Sequence, residues 1–255
     1  MIRRACAFEK PQEERKRFMK GFCLEVEGPF ACFTRPEMKV ERVSYDIITP
    51  SAARAIFEAV LWKPAISWRI RRIEVMNPIR WVSIRRNEVG KTCSPGTRAI
   101  IIEEARQQKA GLILRDVKYR LFGEFAFIPP EKRSRSTNPV PEWLSDKDEI
   151  AMAPKLDSPG TECEAKYAAM FERRAKKGQC FHHPYLGCRE FVANIRLIDR
   201  SDVATQPFQY DADLGFMLYD LDYSDPEDIK PMFFRAHIKR GIVEVPDPES
   251  SEVRR

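Results

Sequence analysis

The stretch TECEAKYAAMFERRAKKGQCFHHPYLGCREF at residues 161–191 organises the chain. Thr161 and Glu164 match the S/T-x-x-E capping box, which predicts a helix that begins at about Glu162. Gly178 predicts the end of that helix, because glycine adopts the positive φ of a helix C′ position at little cost. The sequence therefore predicts a helix, then a short polar loop that carries histidines and aromatics, then a strand.

The predicted helix has one apolar stripe and one cationic edge. A period of 3.6 residues aligns the stripe, which we expect to be buried: Tyr167, Ala168, Phe171 and Ala175. The same period gathers cations on an adjoining edge, with Arg174 nearest the stripe: Lys166, Arg173 and Lys177. Two interpretations of this edge stay open, a binding surface for an anion or a merely solvated face.

The elements before this helix follow the order strand, helix, strand, strand. Residues 21–34 alternate as a half-buried strand, and residues 50–62 read as a helix with Thr49 as N-cap. Two more strands follow: residues 65–76 and 79–89. This order indicates a ferredoxin-like βαββαβ domain of the α+β class, in which the helix of residues 161–191 is the second crossover helix.

The chain is predicted to have three parts. Residues 1–20 form a flexible basic leader, and residues 21–192 form the ferredoxin-like domain. Within that domain, residues 129–160 are rich in proline, serine and charge, which indicates an irregular insertion. Residues 193–255 contain further strands and are predicted to form a small C-terminal antiparallel sheet and a tail.

Charge and cysteine content narrow the function classes. The chain has a net charge of +6, and residues 69–86 hold six arginines against one acid, Glu74, which predicts a local basic surface. The seven cysteines have no regular disulfide spacing, and we expect a reducing, cytoplasmic setting. No segment approaches the ~20 apolar residues that a membrane span needs, so no membrane partner is predicted.

Several segments of the chain resemble one known family. They are EGPFACFTRPEMKVERVSYDIITPSAARAIFEAVLWKPAI, IRRNEV, LRDVKYR and AKYAAMFERRAKKGQCFHHPYLGCREF. Over nearly its whole length the chain is similar to the type I-C CRISPR-associated repeat-RNA endonucleases, the subtype-d members of the Cas-five family. The resemblance implies an N-terminal ferredoxin-like, RNA-recognition-type domain and a small C-terminal antiparallel sheet. It also implies that the chain cuts CRISPR repeat RNA without a metal or other cofactor, and keeps the 5′ handle within the type I-C interference complex.

The resemblance also implies three catalytic positions. A lysine–histidine pair of the family corresponds to Lys166 and Tyr167, and a family tyrosine in a motif that ends in WKP corresponds to Leu61. This chain keeps the lysine and departs at the other two positions. Lys166 is expected to stabilise the charge that develops on the scissile phosphate, and Tyr167 to transfer a proton. The alternative for Tyr167 is packing on the apolar stripe.

Other residues suit proton transfer or RNA contact. His182 and His183 follow the helix, and histidine titrates in the range that proton transfer needs, although both could simply structure the loop. Phosphate contacts and base stacking are predicted for a larger set: Lys39, Arg42, Tyr45, Arg85, Arg86, Arg173, Arg174 and Lys177. For Tyr45, the alternative is a packed tyrosine.

Three other interpretations of the chain stay open. The first is a non-catalytic RNA-binding subunit that lost cutting with the changes at Leu61 and Tyr167. The second adds duplex DNA as a partner, because a basic groove does not by itself select RNA. The third is a zinc site at Cys180-x-His182-His183-x₄-Cys188, but this spacing lacks the paired pattern of structural zinc sites, so no metal is predicted.

Overall fold

The computed structural model describes residues 21–94, 96, 99–129, 132–133, 163–198, 205–225 and 227–255. The predicted leader, most of the predicted insertion and Thr161 of the predicted capping box lie outside these ranges. The helices are α1 (Pro50–Val60), α2 (Ile102–Ala105) and α3 (Glu164–Lys176), with a 3-10 turn at Pro36–Met38. The strands are β1 (Phe22–Ala31), β2 (Ile66–Val75), β3 (Trp81–Val89), β4 (Arg106–Phe127), β5 (Asn194–Ile198), β6 (Ala212–Asp222), β7 (Lys230–Ile238), β8 (Ile242–Glu244) and β9 (Val253–Arg254).

The larger sheet has the order β5-β1-β4-β2-β8, and β3 pairs with β4 beside this path. Strands β1 and β2 are both antiparallel to β4, so they run parallel to each other, joined by α1 with β4 between them. Strands β4 and β5 are both antiparallel to β1 and are joined through α3 in the same way. Two interlocked split βαβ units define a ferredoxin-like fold, which confirms the predicted fold class.

Strand β4 pairs with different strands in its first and later parts. Its first part, residues 106–114, forms a hairpin with β3, and its later part pairs with β1 on one side and β2 on the other. The β3–β4 hairpin is therefore an extension of the central strand of the sheet.

The smaller sheet, β6-β7-β9, is the predicted C-terminal antiparallel sheet. Arg54 of α1 holds it to the larger domain through a bidentate contact with Asp220 of β6, at 2.8 and 2.9 Å. Strands β5 and β8 also follow residue 192, yet both belong to the larger sheet. The division between the sheets therefore does not follow the predicted boundary at residue 192, because the last ferredoxin strand comes after the second crossover helix.

The core lies between the helices and one face of the larger sheet. Helix α1 begins as predicted, since the Thr49 hydroxyl accepts a hydrogen bond from Ala52 N at 3.3 Å and Pro50 occupies the first turn. The Phe57 ring of α1 lies directly over Gly123 of β4, where a Cβ would approach its ring atoms to 2.8 Å. No helix in the described part of the chain is long and apolar enough to cross a lipid bilayer.

Candidate nucleic-acid interface

Helix α3 is amphipathic as the sequence predicts. Its stripe is buried through Tyr167, Phe171 and Ala175, and the Phe171 ring lies 4.7 Å from Phe22 and 4.6 Å from Trp68. The helix begins at Glu164 with the extended Cys163 as its N-cap, two residues after the predicted start at about Glu162. Glu164 is therefore the first helical residue and does not occupy the third position that the predicted capping box needs, so that prediction was wrong. The cations lie beside the buried stripe and are exposed or half-buried: Lys166, Arg173, Arg174 and Lys177.

The C-terminus of α3 confirms the predicted stop. Gly178 has a φ of +64°. Its N–H donates to Ala175 O at 3.2 Å, and Gln179 N donates to Arg174 O at 2.9 Å. These two bonds form a Schellman motif, which satisfies carbonyls that the helix end leaves without intrahelical donors. The chain therefore leaves α3 in a fixed direction.

The two residues at the family's lysine–histidine position differ in exposure. Lys166 lies in the first turn of α3 and is half-buried. Tyr167 is only 6% exposed, and its ring lies 6.0 Å from that of Phe127. This burial agrees with the packing alternative for Tyr167. Its role in proton transfer stays a prediction.

The position of the third implied catalytic residue lies at the end of α1. Leu61 is 2% exposed, and its carbonyl accepts a hydrogen bond from Trp68 Nε1 at 2.8 Å. Its side chain belongs to the core and carries no titratable group. The next residue, Trp62, is 62% exposed.

The loop at residues 177–193 connects α3 to the sheet and is held at several points. Phe181 N donates to Ala59 O at 2.7 Å, which caps a carbonyl in the last turn of α1. Further along, Cys32 N donates to Leu186 O at 3.0 Å. Gly187 has a φ of +85°, and a Cβ there would lie 2.0 Å from Cys32 O. The loop thus needs glycine at this position for two separate reasons.

His182 and His183 lie on the exposed part of this loop. The His182 ring lies 6.2 Å from that of Phe181 and 6.1 Å from that of Tyr185, and its Nδ1 is 3.2 Å from His183 O. The Tyr167 ring of α3 lies beside Phe127, which pairs with Ile66 at the start of β2. Phe181 of the loop bonds to Ala59 at the end of α1. Helix α3 and the loop therefore lie near opposite ends of the connection between α1 and β2.

The predicted RNA-binding residues outside α3 divide into exposed and internally bonded ones. Lys39 and Arg85 are exposed and make no ion pair with the described residues. Arg42 and Arg86 are bonded within the chain, through Arg42 Nε–Glu88 Oε1 at 3.0 Å and Arg86 Nη2–Glu190 Oε1 at 2.5 Å.

Tyr45 does not lie on an RNA-accessible surface. It is 1% exposed, Arg35 stacks over its ring at 4.5 Å, and its hydroxyl accepts a hydrogen bond from Leu218 N at 3.3 Å. This is the packed arrangement, and it ties the larger domain to β6.

Cys188 contacts Arg42 and Cys32. Arg42 Nη1 lies 3.7 Å from Cys188 Sγ. Hydrogen bonding with the Cys32 thiol, together with the Arg42 guanidinium, lowers the pKa of Cys188, although burial opposes this shift. Within the described residues, which include all four residues of the zinc interpretation, no group of three or more His, Cys, Asp or Glu could hold a metal ion.

Sequence reasoning missed three exposed residues next to the predicted ones. Phe181 is 87% exposed, Trp62 is 62% exposed, and Arg189 is exposed beside Cys188. Phe181 directly precedes the HHP segment, Trp62 begins the WKP segment and Arg189 follows Cys188, and none of these positions distinguishes an exposed side chain from a buried one.

The family comparison covers most of the chain. The family Cas5d, described as CRISPR-associated protein (Cas_Cas5), matches residues 21–141 and 147–246. The chain belongs to the Cas5d family. It is 40% identical over 248 residues to the CRISPR pre-crRNA endoribonuclease Cas5d of Mannheimia succiniciproducens, covering 91% of this chain and 97% of that protein. It is 36% identical over 249 residues to the CRISPR pre-crRNA endoribonuclease Cas5d of Thermus thermophilus, covering 91% and 94%.

Solved structures share the fold. A crystal structure of a CRISPR-associated protein matches with a TM-score of 0.61 at 22% identity, covering 94% of this chain and 98% of that one. A chain of a CRISPR RNA-guided surveillance complex matches with a TM-score of 0.50 at 14% identity, covering 89% and 91%. At these identities the likeness extends to the Cas5d fold, and no site is transferred from either structure.

Proposed function

We propose that this chain is a pre-crRNA endoribonuclease that cuts CRISPR repeat RNA. The observation that carries the proposal is 40% identity over 97% of a relative named CRISPR pre-crRNA endoribonuclease Cas5d. The accessible cationic edge of α3 and the exposed loop after it supply a surface for the RNA backbone. After cutting, the chain keeps the 5′ handle and joins the other subunits of a type I-C interference complex in the cytoplasm.

The cutting chemistry needs no metal. The ribose 2′-hydroxyl loses its proton and attacks the adjacent phosphate in line, and the departing 5′-oxygen gains a proton. The products are a 2′,3′-cyclic phosphate and a 5′-hydroxyl. A fixed lysine stabilises the charge that develops on the phosphate oxygens, and Lys166 in the first turn of α3 takes this role.

Proton transfer has two candidate sources. Tyr167 occupies the family's histidine position but is 6% exposed, whereas His182 and His183 are exposed on the loop. We therefore expect Tyr167→Phe, which keeps the ring and removes the hydroxyl, to leave the cleavage rate unchanged. We expect His182→Gln with His183→Gln to slow it by about 10²-fold or more. The reverse result would assign proton transfer to Tyr167.

A non-catalytic RNA-binding subunit is the second candidate function. It is favoured by the apolar, buried side chain of Leu61, which removes one titratable group from the site that the family resemblance implies. In this case the chain binds crRNA, or duplex DNA, without cutting. Competition by unlabelled RNA and duplex DNA at several salt concentrations would separate these partners.

The deciding experiment is cleavage of a CRISPR repeat RNA by the purified protein in EDTA, compared with Lys166→Ala. We expect the wild type to release a 2′,3′-cyclic phosphate product and Lys166→Ala to cut about 10²- to 10³-fold more slowly while still binding RNA. Lys176→Ala on the same helix is the matched control, because Lys176 is paired with Glu172 at 2.7 Å. RNA binding without cutting by the wild type would favour the non-catalytic subunit. Equal losses of binding and cutting in Lys166→Ala would make Lys166 a phosphate clamp.

A further inference from the structure

Phe181 is the most exposed large hydrophobic side chain in the described part of the chain, at 87%. Single exposed apolar residues are common on protein surfaces and need no partner. Phe181 differs because its backbone is fixed: its N–H donates to Ala59 O at 2.7 Å in the last turn of α1. An aromatic ring on a rigid backbone loses little conformational freedom when it binds a ligand.

A second exposed aromatic lies at the same end of α1. Trp62 is 62% exposed and follows Ala59, the partner of Phe181, by three residues. The ring of His182 lies 6.2 Å from the ring of Phe181 and 6.1 Å from the ring of Tyr185. Exposed flat rings are therefore grouped at the end of α1 and along the loop after α3.

The charged residues near these rings in the sequence are mostly positive. Residues 173–189 contain five lysines and arginines and no acid. Lys63, next to Trp62, is exposed and makes no ion pair with the described residues. Glu58, the nearest acid before Trp62 in the sequence, is paired with Arg54 at 2.5 Å. An apolar surface edged by cations suits a ligand with flat apolar faces and negative charges, which describes single-stranded RNA better than a protein surface.

We propose that Phe181 and Trp62 form a stacking subsite for unpaired RNA bases at the end of α1, with neighbouring cations contacting the phosphates. The subsite rests on the proposed RNA function and names the part of the RNA that it takes: unpaired nucleotides beside the repeat hairpin. Every base has a π-face, so stacking tolerates any sequence. The subsite therefore holds single-stranded RNA in place and leaves sequence recognition to other contacts.

The test uses a stem–loop RNA with an unpaired flank that carries 2-aminopurine, whose fluorescence is quenched when it stacks. We expect the wild type to quench it. Phe181→Ala should lose most of the quenching and bind this RNA about 5- to 150-fold more weakly. Phe181→Tyr keeps the ring and should restore both. Phe216→Ala is the matched control, since Phe216 is an exposed phenylalanine on β6, and it should change neither.

Three results would overturn the subsite. Unchanged quenching and unchanged RNA affinity in Phe181→Ala would show that bases do not stack on Phe181. An equal affinity loss for a blunt RNA duplex would mean that Phe181 supports the fold of the loop and does not contact bases. Unchanged RNA binding with lost association with other subunits of the interference complex would assign the patch to a protein partner.

Measuring cleavage by the wild type beside the quenching assay separates this inference from the proposed function. If the wild type does not cut repeat RNA but Phe181→Ala still loses quenching, the stacking subsite stands and the nuclease function falls. If the wild type cuts and quenching does not depend on Phe181, the nuclease function stands and the subsite falls.

Discussion

Both faces of the larger sheet carry cations, but the two sides of the molecule use them differently. On the face away from α1 and α3, the buried Arg120 lies between Glu25, at 3.6 Å, and Glu74, at 3.8 Å. Lys118 and Arg196 reach the same Glu25 at 3.1 and 2.7 Å. Burial tends to raise the pKa of Glu25, yet hydrogen bonds from Arg196 and Lys118 hold it below its usual value. The cations of this face are therefore neutralised by carboxylates of the same face.

On the side of the helices, Lys176 pairs with Glu172 and Arg54 pairs with Asp220, but two exposed cations of α3 have no such acid among the described residues. Arg173 and Lys177 are exposed without an ion pair in the described part of the chain. Arg174 Nε is buried without a hydrogen-bond partner among the same residues. The difference teaches that a basic composition does not locate a nucleic-acid interface. We expect cations left without a carboxylate partner to mark the interface, because their charge remains available to phosphates.

The largest effect is expected on the self-neutralised face. Arg120→Met should leave Glu25 and Glu74 buried with too few cations and lower the free energy of unfolding by about 3–5 kcal/mol. Urea unfolding followed by circular dichroism measures this. Arg196→Met is the control, since Arg196 pairs with the same Glu25 but is mostly exposed, and it should cost about 1 kcal/mol or less. Similar losses in both variants would mean that burial does not distinguish the two pairs.

A smaller loss is expected in the loop that joins the two regions. Gly187→Ala combines a positive φ with a Cβ 2.0 Å from Cys32 O, and should lower the free energy of unfolding by about 2–3 kcal/mol. Gly178→Ala also has a positive φ but no atom near the added Cβ, and should cost about 1–2 kcal/mol. At a temperature where both variants are folded, only Gly187→Ala should weaken RNA binding. Equal RNA affinities would mean that the position of the loop does not matter for binding.

The smallest effect on stability is expected at the open cationic edge. Arg173→Gln with Lys177→Gln should change the free energy of unfolding by less than about 0.5 kcal/mol. The slope of log RNA affinity against log salt concentration should become less steep by about 1.5, because two phosphate contacts are lost. Lys118→Gln with Arg196→Gln, on the opposite face, should leave this slope unchanged. A lower slope in the second pair alone would move the interface to the sheet face.

Local sequence patterns predicted the elements of this fold well. The stripe of α3, the glycine at its end and the cap of α1 each depend on residues a few positions apart, and each is confirmed. The basic surface predicted from residues 69–86 was largely wrong. Five of its six arginines pair with acids, including Asp247, Glu124 and Glu190, which come from distant parts of the chain.

Tyr45 and Phe181 show the same limit at the candidate site. The sequence analysis named Tyr45, which follows Lys39 and Arg42, and did not name Phe181, yet Tyr45 is buried under Arg35 and Phe181 is exposed at the end of α1. The residue type alone does not show which of the two aromatic side chains is accessible.

The sequence by itself determined the α+β class, the main helices and the Cas5d family, because periodicity, caps and family motifs are local. Only the tertiary structure decided which cations are neutralised, that Tyr167 lies in the core, and that the loop after α3 is tied to α1 and to β1. The physical reason is that charge pairing and burial depend on partners that folding brings from far along the chain. Arg120, for example, meets Glu25 and Glu74 only when β1, β4 and β2 form one sheet.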